Sequence, residues 1–280
     1  MRIVGWVAGC AATVVLAGCG VAPVPVPAAS TSAAPTSTAA PTSAAAPLTR
    51  GGPAATTSAT PTPTPTDVPV VVLDPGHNGR NGANPEVIER QVPDGRGGTK
   101  ACNTTGTGTD AGYPEHAFTW DVSQRVRPVL EAAGVRVVLT RPDDDGVGPC
   151  VDERGRAGEA ADADAVVSIH ADGSAAGDSG FHVALSDPPL NAAQGTPARD
   201  LALAVRDAMR TAGFPDSDYI GDQALSPRGD LGGLNLATRP TVLVECANMR
   251  NPGEAALVSS EAGRQRYAEA VAAGVLAFLR

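Results

Sequence analysis

Val68-Pro69-Val70-Val71-Val72-Leu73-Asp74-Pro75-Gly76-His77 is a β-branched run with an abruptly polar end. Val68–Leu73 predicts a strand, and Asp74 to His77 predict a loop carrying ionisable groups. The pattern recurs twice, as Val166-Val167-Ser168-Ile169-His170 and as Val242-Leu243-Val244-Glu245. Short apolar runs place strands at Val68–Leu73, Val135–Thr140, Ala165–His170, Phe181–Leu185 and Thr241–Glu245. Segments of helical period lie between them. Glu115–Ala133 aligns Phe118, Val122, Val126 and Val129, Arg199–Ala212 aligns Leu201, Val205, Ala208 and Ala212, and Tyr267–Leu279 aligns Tyr267, Val271, Val275 and Phe278. Asn251-Pro252-Gly253-Glu254 reads as a helix start, with a cap, a proline in the first turn and an acid three residues on. Strands alternating with helices predict an α/β fold around a mostly parallel sheet. In such sheets the polar strand ends meet along the C-terminal edge, where ligands bind.

Upstream of Val68 the chain changes character. Residues 20–66 hold ten of the 25 prolines and a single charge, Arg50, among Ala, Ser, Thr and Val. Such a stretch has too little to bury and predicts a disordered, partly polyproline II spacer. Arg2 followed by the mostly apolar Ile3–Leu16 reads as an export signal, too short to span a bilayer comfortably. Leu16-Ala17-Gly18-Cys19 resembles the bacterial lipobox, whose cleavage leaves a lipid-modified cysteine at the new N-terminus. An ordinary signal peptide with a chance Cys19 is the alternative. The expected organisation is a signal at 1–18, an anchor cysteine and linker at 19–67, and one folded domain at 68–280. Export implies an oxidising compartment, either the outer face of the membrane or the periplasmic or cell-wall space.

Composition removes other classes. The chain has 280 residues, 21 Lys+Arg against 30 Asp+Glu, and a net charge of -9, so no basic face can dominate and nucleic acid is not the expected partner. Aromatics at 3% are too few for a base-stacking or sugar-stacking platform. A monomer is the default expectation.

If the three polar strand ends are parallel, His77, His170 and Glu245 converge on one edge. Glu115, after Gly112-Tyr113-Pro114, opens a helix, and helix starts lie on that same edge. Two imidazoles and a carboxylate are a common zinc set that leaves a position for water, and a second carboxylate nearby can act as general base. Each residue also has a plainer reading. A histidine after a strand can be a packing residue, an acid in a first helical turn is what the macrodipole favours, and Glu245 alone could be an ordinary loop acid. Their conjunction in one domain favours chemistry.

Leu73-Asp74-Pro75-Gly76-His77, Tyr113-Pro114-Glu115-His116, Ser168-Ile169-His170-Ala171-Asp172 and Val244-Glu245-Cys246-Ala247-Asn248-Met249 together resemble the zinc-dependent N-acetylmuramoyl-L-alanine amidases, most closely the mycobacterial type. The likeness runs through essentially all of 68–280 in the family's order. It implies a single catalytic domain with a twisted, mostly parallel six-stranded sheet and helices on both faces. It implies that His77, Glu115 and His170 hold one Zn2+ per chain and that Glu245 is the catalytic carboxylate. The implied substrate is peptidoglycan or a muramyl peptide, cut at the amide between N-acetylmuramic acid and L-alanine. Ala247 stands where many relatives have glycine, a small change. A non-catalytic wall-binding lipoprotein would show broken ligands or a missing base, and neither is seen; another zinc hydrolase would share the metal and cut a different bond.

The remaining candidates have lesser roles. His116 should point about 100° away from Glu115 on an ideal helix and be structural or solvent-facing. Asp172 could support a ligand or be a simple turn acid, and alternation could aim His182 either way. Arg154 and Arg156 should make structural contacts with carboxylates. Of five cysteines, Cys10 leaves with the signal, Cys19 carries the lipid and Cys246 sits in the core, so Cys102 and Cys150, both in Gly-rich loops, are expected to pair, although the sequence allows other pairings. Pro93-Asp94-Gly95 and Gly97-Gly98 predict a hairpin between Val87 and Cys102 that rims the cleft.

Overall fold

The computed structural model describes residues 68–280; the signal segment, Cys19 and the linker lie outside the described residues. In chain order the elements are β1 (Val70–Pro75), α1 (Pro85–Ile88), β2 (Gln91–Pro93), β3 (Thr99–Ala101), α2 (Glu115–Ala132), β4 (Arg136–Leu139), α3 (Val151–Ala160), β5 (Ala165–Asp172), β6 (His182–Ser186), α4 (Thr196–Thr211), β7 (Leu225–Arg228), α5 (Gly232–Asn235), β8 (Thr241–Asn248), α6 (Pro252–Ser259) and α7 (Glu261–Phe278).

Six strands form one sheet in the order β4-β1-β5-β8-β6-β7. All neighbours are parallel except β6 and β8. The chain leaves β1 through α2 to reach β4 on one side, then returns through α3 to reach β5 on the other. Right-handed crossovers running in opposite directions put their helices on opposite faces. The packing follows suit. Val71, Leu73, Val167, Val242 and Val244 share the main core with Phe118, Val122 and Val126 of α2, Leu201 and Val205 of α4, and Tyr267 and Val271 of α7. Val70, Val72 and Val166 face the other way, with Ala157 of α3 packed against them. Burial of β1 on both faces is why it reads as an unbroken apolar run. The reversal of winding between β1 and β5 opens a crevice at their C-terminal ends, and such switch points hold ligands in open α/β sheets.

All five expected strands form, with shifted ends. Pairing of β5 with β8 continues past His170↔Glu245 to Asp172↔Asn248 across an irregularity, so His170 and Glu245 lie inside their strands rather than at the last residue. The sixth strand that the resemblance implies is β7, which no apolar run marks because Pro227 interrupts it; it is an edge strand, where proline is tolerated. Helix α3 was also not expected, since Gly155 and Gly158 weaken the pattern. Both glycines allow close packing: a Cβ at Gly155 would lie 2.8 Å from the Gly233 carbonyl oxygen, and one at Gly158 2.6 Å from Val166 Cγ2. Helix α6 starts as predicted, with the Asn251 side chain accepting from the Gly253 and Glu254 amides.

The predicted hairpin is β2–β3, paired antiparallel from Gln91↔Ala101 to Pro93↔Thr99. It is pinned rather than loose. Arg96 donates to Asn235 Oδ1 at 3.1 Å, Ser186 Oγ at 3.1 Å and the Pro188 carbonyl at 2.8 Å, and Lys100 donates to the Asp230 carbonyl at 2.7 Å. Cys102, just after β3, is disulfide-bonded to Cys150, the N-cap of α3, with Cα atoms 4.3 Å apart. Closing a loop of sequence separation 48 stabilises by about 4 kcal/mol in the chain-entropy picture. Cys246 is a free, buried thiol. No helix among the described residues is long and apolar enough to cross a membrane.

Candidate active site

His77, Glu115 and His170 meet at the switch point, each offering one ligand atom within 4.8 Å of the others. His77 follows β1 and has φ 57, a left-handed backbone that is uncommon outside glycine and frequent at functional sites. Its conformation is held from below. Arg154 of α3 donates to the carbonyls of Pro75 at 2.6 Å and His77 at 2.7 Å, and its guanidinium meets the Asp74 carboxylate at 2.5 Å. Arg141, fully buried, donates to the Pro75 carbonyl at 3.1 Å and the His116 carbonyl at 3.0 Å. Two guanidinium groups thus clasp the backbone that presents His77.

The imidazole of His77 has distinct sides. Nδ1 lies 3.1 Å from the Thr104 carbonyl, which fixes Nδ1 as the donor and leaves Nε2 facing Glu115 Oε1 at 3.1 Å. His170 Nδ1 lies 2.9 Å from the same Glu115 oxygen. Glu115 also accepts from the Ala171 amide at 3.2 Å and from the Thr107 amide at 2.9 Å. Burial alone would raise the Glu115 carboxyl, but the two imidazoles outweigh it and hold the group well below the usual carboxylate range. Conversely, burial disfavours the charged form of His77, yet the adjacent Glu115 carboxylate raises its pKa.

These three donors suit a zinc ion by chemistry, with neutral nitrogen from two imidazoles and one anionic oxygen. Local shape agrees. A Cβ at Gly106 would lie 2.7 Å from Glu115 Oε2 and 2.9 Å from His77 Cδ2, so any larger residue would fill the cradle. The cluster opens into a cavity of about 520 Å³ that runs along the sheet face toward α5, with Lys100 of the hairpin and Arg250 contributing cations to its lining.

Glu245 lines the same cavity and stands opposite His170 in the ladder. Its Oε2 is sealed from solvent without a hydrogen-bond partner among the described residues. Burial, then the charges of Glu115 and Asp172, push its pKa well above the usual carboxylate range, with Arg228 offsetting only part. A carboxylate with a raised affinity for protons beside a metal-type cluster is equipped for general base work.

Other candidates fall elsewhere. His116 turns away from the cluster and pairs with Asp144 Oδ2 at 2.7 Å. Arg154 and Arg156 contact Asp74 and Asp152, as expected of structural arginines. Asp172 accepts from the Tyr219 hydroxyl at 3.1 Å and from the Gly173 amide, so it does not brace a ligand histidine. His182 is buried beside Glu245 in the ladder. Arg141 and Tyr219 join the surroundings of the site without having been candidates in the sequence. Arg141 follows the apolar β4 as His77 follows β1, and that polar strand end was its available signal.

Fold and site together define an open α/β protein with a His-Glu-His cluster at its switch point and a free carboxylate beside it. The chain belongs to the Amidase_3 family, N-acetylmuramoyl-L-alanine amidase, which it matches over residues 71–277. It is 51% identical over 225 residues to N-acetylmuramoyl-L-alanine amidase Rv3717 of Mycobacterium tuberculosis, spanning 80% of this chain and 91% of that protein. Among solved structures it is similar to the N-acetylmuramyl-L-alanine amidase Ami1 of Mycobacterium smegmatis, at TM-score 0.73 and 53% identity, covering 75% of this chain and 96% of the other. The apo form of Ami1 from Mycobacterium abscessus compares at TM-score 0.73 and 52% identity, with 76% and 99% covered.

Proposed function

We propose that the protein is a zinc-dependent amidase of peptidoglycan, hydrolysing the amide between the lactyl group of N-acetylmuramic acid and L-alanine. The convergence of His77, Glu115 and His170 within 4.8 Å, beside Glu245 and in a chain of this family, carries the reading. The three residues hold one zinc ion. When bound, zinc supplies an acidified water and polarises a carbonyl oxygen.

The chain's own residues do the rest. Thr104 fixes the His77 tautomer, and the Ala171 and Thr107 amides orient the Glu115 carboxylate. Glu245 takes a proton from the attacking water and delivers it to the alanine nitrogen as the amide bond breaks, leaving a lactyl carboxylate and a free amino terminus. The pinned hairpin forms one wall of the cavity and limits how a polymer enters. Mass analysis of digested peptidoglycan tests the bond that is cut: intact stem peptides with a new L-alanine amino terminus are expected, and cleavage within the stem, or no change, overturns the reading.

His77→Ala and His170→Ala each remove a ligand, so zinc content and activity should fall together, measured by metal analysis and turnover on the same samples. Ligand histidines must be neutral, so zinc should also dissociate in mild acid. Residues 1–18 act as a signal, and Cys19 anchors the enzyme outside the cytoplasm, with the linker giving it reach toward the wall. Cys19→Ala should move the protein from the membrane fraction to the soluble exported fraction; unchanged fractionation would count against the anchor.

A further inference from the structure

The face of the sheet that carries the site holds one more group without a role. His170, Glu245 and His182 occupy directly opposed positions on β5, β8 and β6. Opposed residues project from the same face with Cβ atoms only about 4.5–5.5 Å apart. The carboxylate thus stands between two imidazoles. One of them, His170, is committed to Glu115 through Nδ1. The other is not. His182 is 1% exposed, and its Nδ1 is sealed from solvent with no hydrogen-bond partner among the described residues.

Glu245 Oε2 has the complementary deficit: it is a buried acceptor without a donor among the described residues. Leaving either atom unsatisfied carries a desolvation cost, larger when the group is charged. The other donors near Glu245 make their hydrogen bonds to other carboxylates. The Tyr219 hydroxyl donates to Asp172 at 3.1 Å, and Arg228 is held by both oxygens of Asp230 at 2.7 and 2.6 Å. Tyr219 instead packs its ring edge-to-face against His182, centroids 6.2 Å apart, and so braces the imidazole. The two atoms are not bonded to each other in this structure, but as orphans on adjacent strands they can serve as donor and acceptor.

We propose that His182 is the positioning residue for Glu245, donating from Nδ1 toward Oε2 and holding the carboxylate with its other oxygen turned to the cavity. The inference rests on the reading of Glu245 as the general base. Burial pushes the His182 pKa down to about 4, which keeps the ring uncharged at neutral pH and free to carry its proton on Nδ1. Once Glu245 has taken a proton on its cavity-facing oxygen, Oε2 is the carbonyl oxygen of the acid and can still accept from Nδ1, so the ring suits both states of the base without moving.

The test is steady-state turnover of a small muramyl peptide by the zinc-loaded full chain. H182F fills the site and removes both ring nitrogens. It should lower kcat about ten-fold or more, the scale seen when a partner that orients a site residue is lost, with KM, zinc content and Tm unchanged. H182N restores a donor near the place of Nδ1 and should recover most of the loss. In the E245Q background H182F should cost nothing further, because the group it positions is already gone. H182L takes the place of H182F in each comparison if the larger ring prevents folding. Wild-type kcat in H182F, a loss that H182N does not recover, or the same fold-loss on top of E245Q would each overturn the role of His182. Wild-type turnover in E245Q itself would overturn Glu245 as the base, and this inference with it, and is told apart by that single variant.

Discussion

Glu245→Gln is expected to retain a full complement of zinc while turnover of a muramyl peptide falls about 10²–10⁴-fold, the usual worth of a positioned general base. The substitution keeps the size and the hydrogen-bonding shape of the side chain and removes only the proton acceptor. Folding should not suffer. Glu245 stands near the negative charges of Glu115 and Asp172, with no ion pair among the described residues, so an uncharged amide relieves repulsion. Thermal unfolding of the metal-free protein should therefore show an unchanged or higher Tm. Metal analysis and kinetics on one preparation separate the possible roles. Full zinc with near-wild-type turnover would remove Glu245 from the mechanism. Loss of zinc in step with activity would make Glu245 a ligand and leave Glu115 to a helix-start role.

Much of this site was readable because it sits where periodicity breaks. His77, His170 and Glu245 each end an apolar run in the sequence, and a parallel sheet turns three such ends into one edge. What local pattern could not supply was register. The ladder puts His170, Glu245 and His182 in one row, and that depends on β5 and β8 pairing beyond their apolar stretches and on β6 running antiparallel beside β8. Nothing within Phe181–Leu185 announces its direction or its neighbour, so the aim of His182 stayed open in the sequence.

The missing elements have the same kind of cause. Strand β7 contains Pro227 and helix α3 contains two glycines, and both break propensity rules. Each is allowed by tertiary context, an edge position in one case and close contact with β5 and α5 in the other. The grip of Arg154 on Asp74 and on the His77 carbonyl was legible only as an arginine expected to meet some carboxylate. Its partners are 80 and 77 residues away, and only the winding of β4, α3 and β5 around β1 brings them together.

Arg154→Met should therefore destabilise the protein by about 3–5 kcal/mol at neutral pH, the cost of removing one partner from a buried ion pair. Methionine keeps the bulk of the stem but strands the Asp74 carboxylate, frees the His77 carbonyl and leaves the Pro75 carbonyl to Arg141 alone. In the native protein burial works to raise the Asp74 pKa, but Arg154 and the hydroxyls of Ser168 and Thr140 outweigh it, so the folded value is depressed. A depressed acid contributes stability that is present above its unfolded pKa and is lost as pH falls through the folded one. Without Arg154 the balance reverses. Burial then raises the Asp74 pKa, the penalty is largest at neutral pH, and it fades as acid protonates the carboxyl. The stability gap between wild type and R154M should thus be wide at pH 7 and narrow toward pH 4, read by urea unfolding with a chelator present so that zinc release does not enter. A gap that stayed constant with pH would mean that lost packing, not the stranded charge, dominates. Asp74→Asn in the R154M background should recover part of the loss at pH 7 by neutralising the stranded group, and failure to do so would point the same way. Because Arg154 also holds the left-handed backbone at His77, R154M should in addition weaken zinc retention, an effect that Asp74→Asn cannot repair.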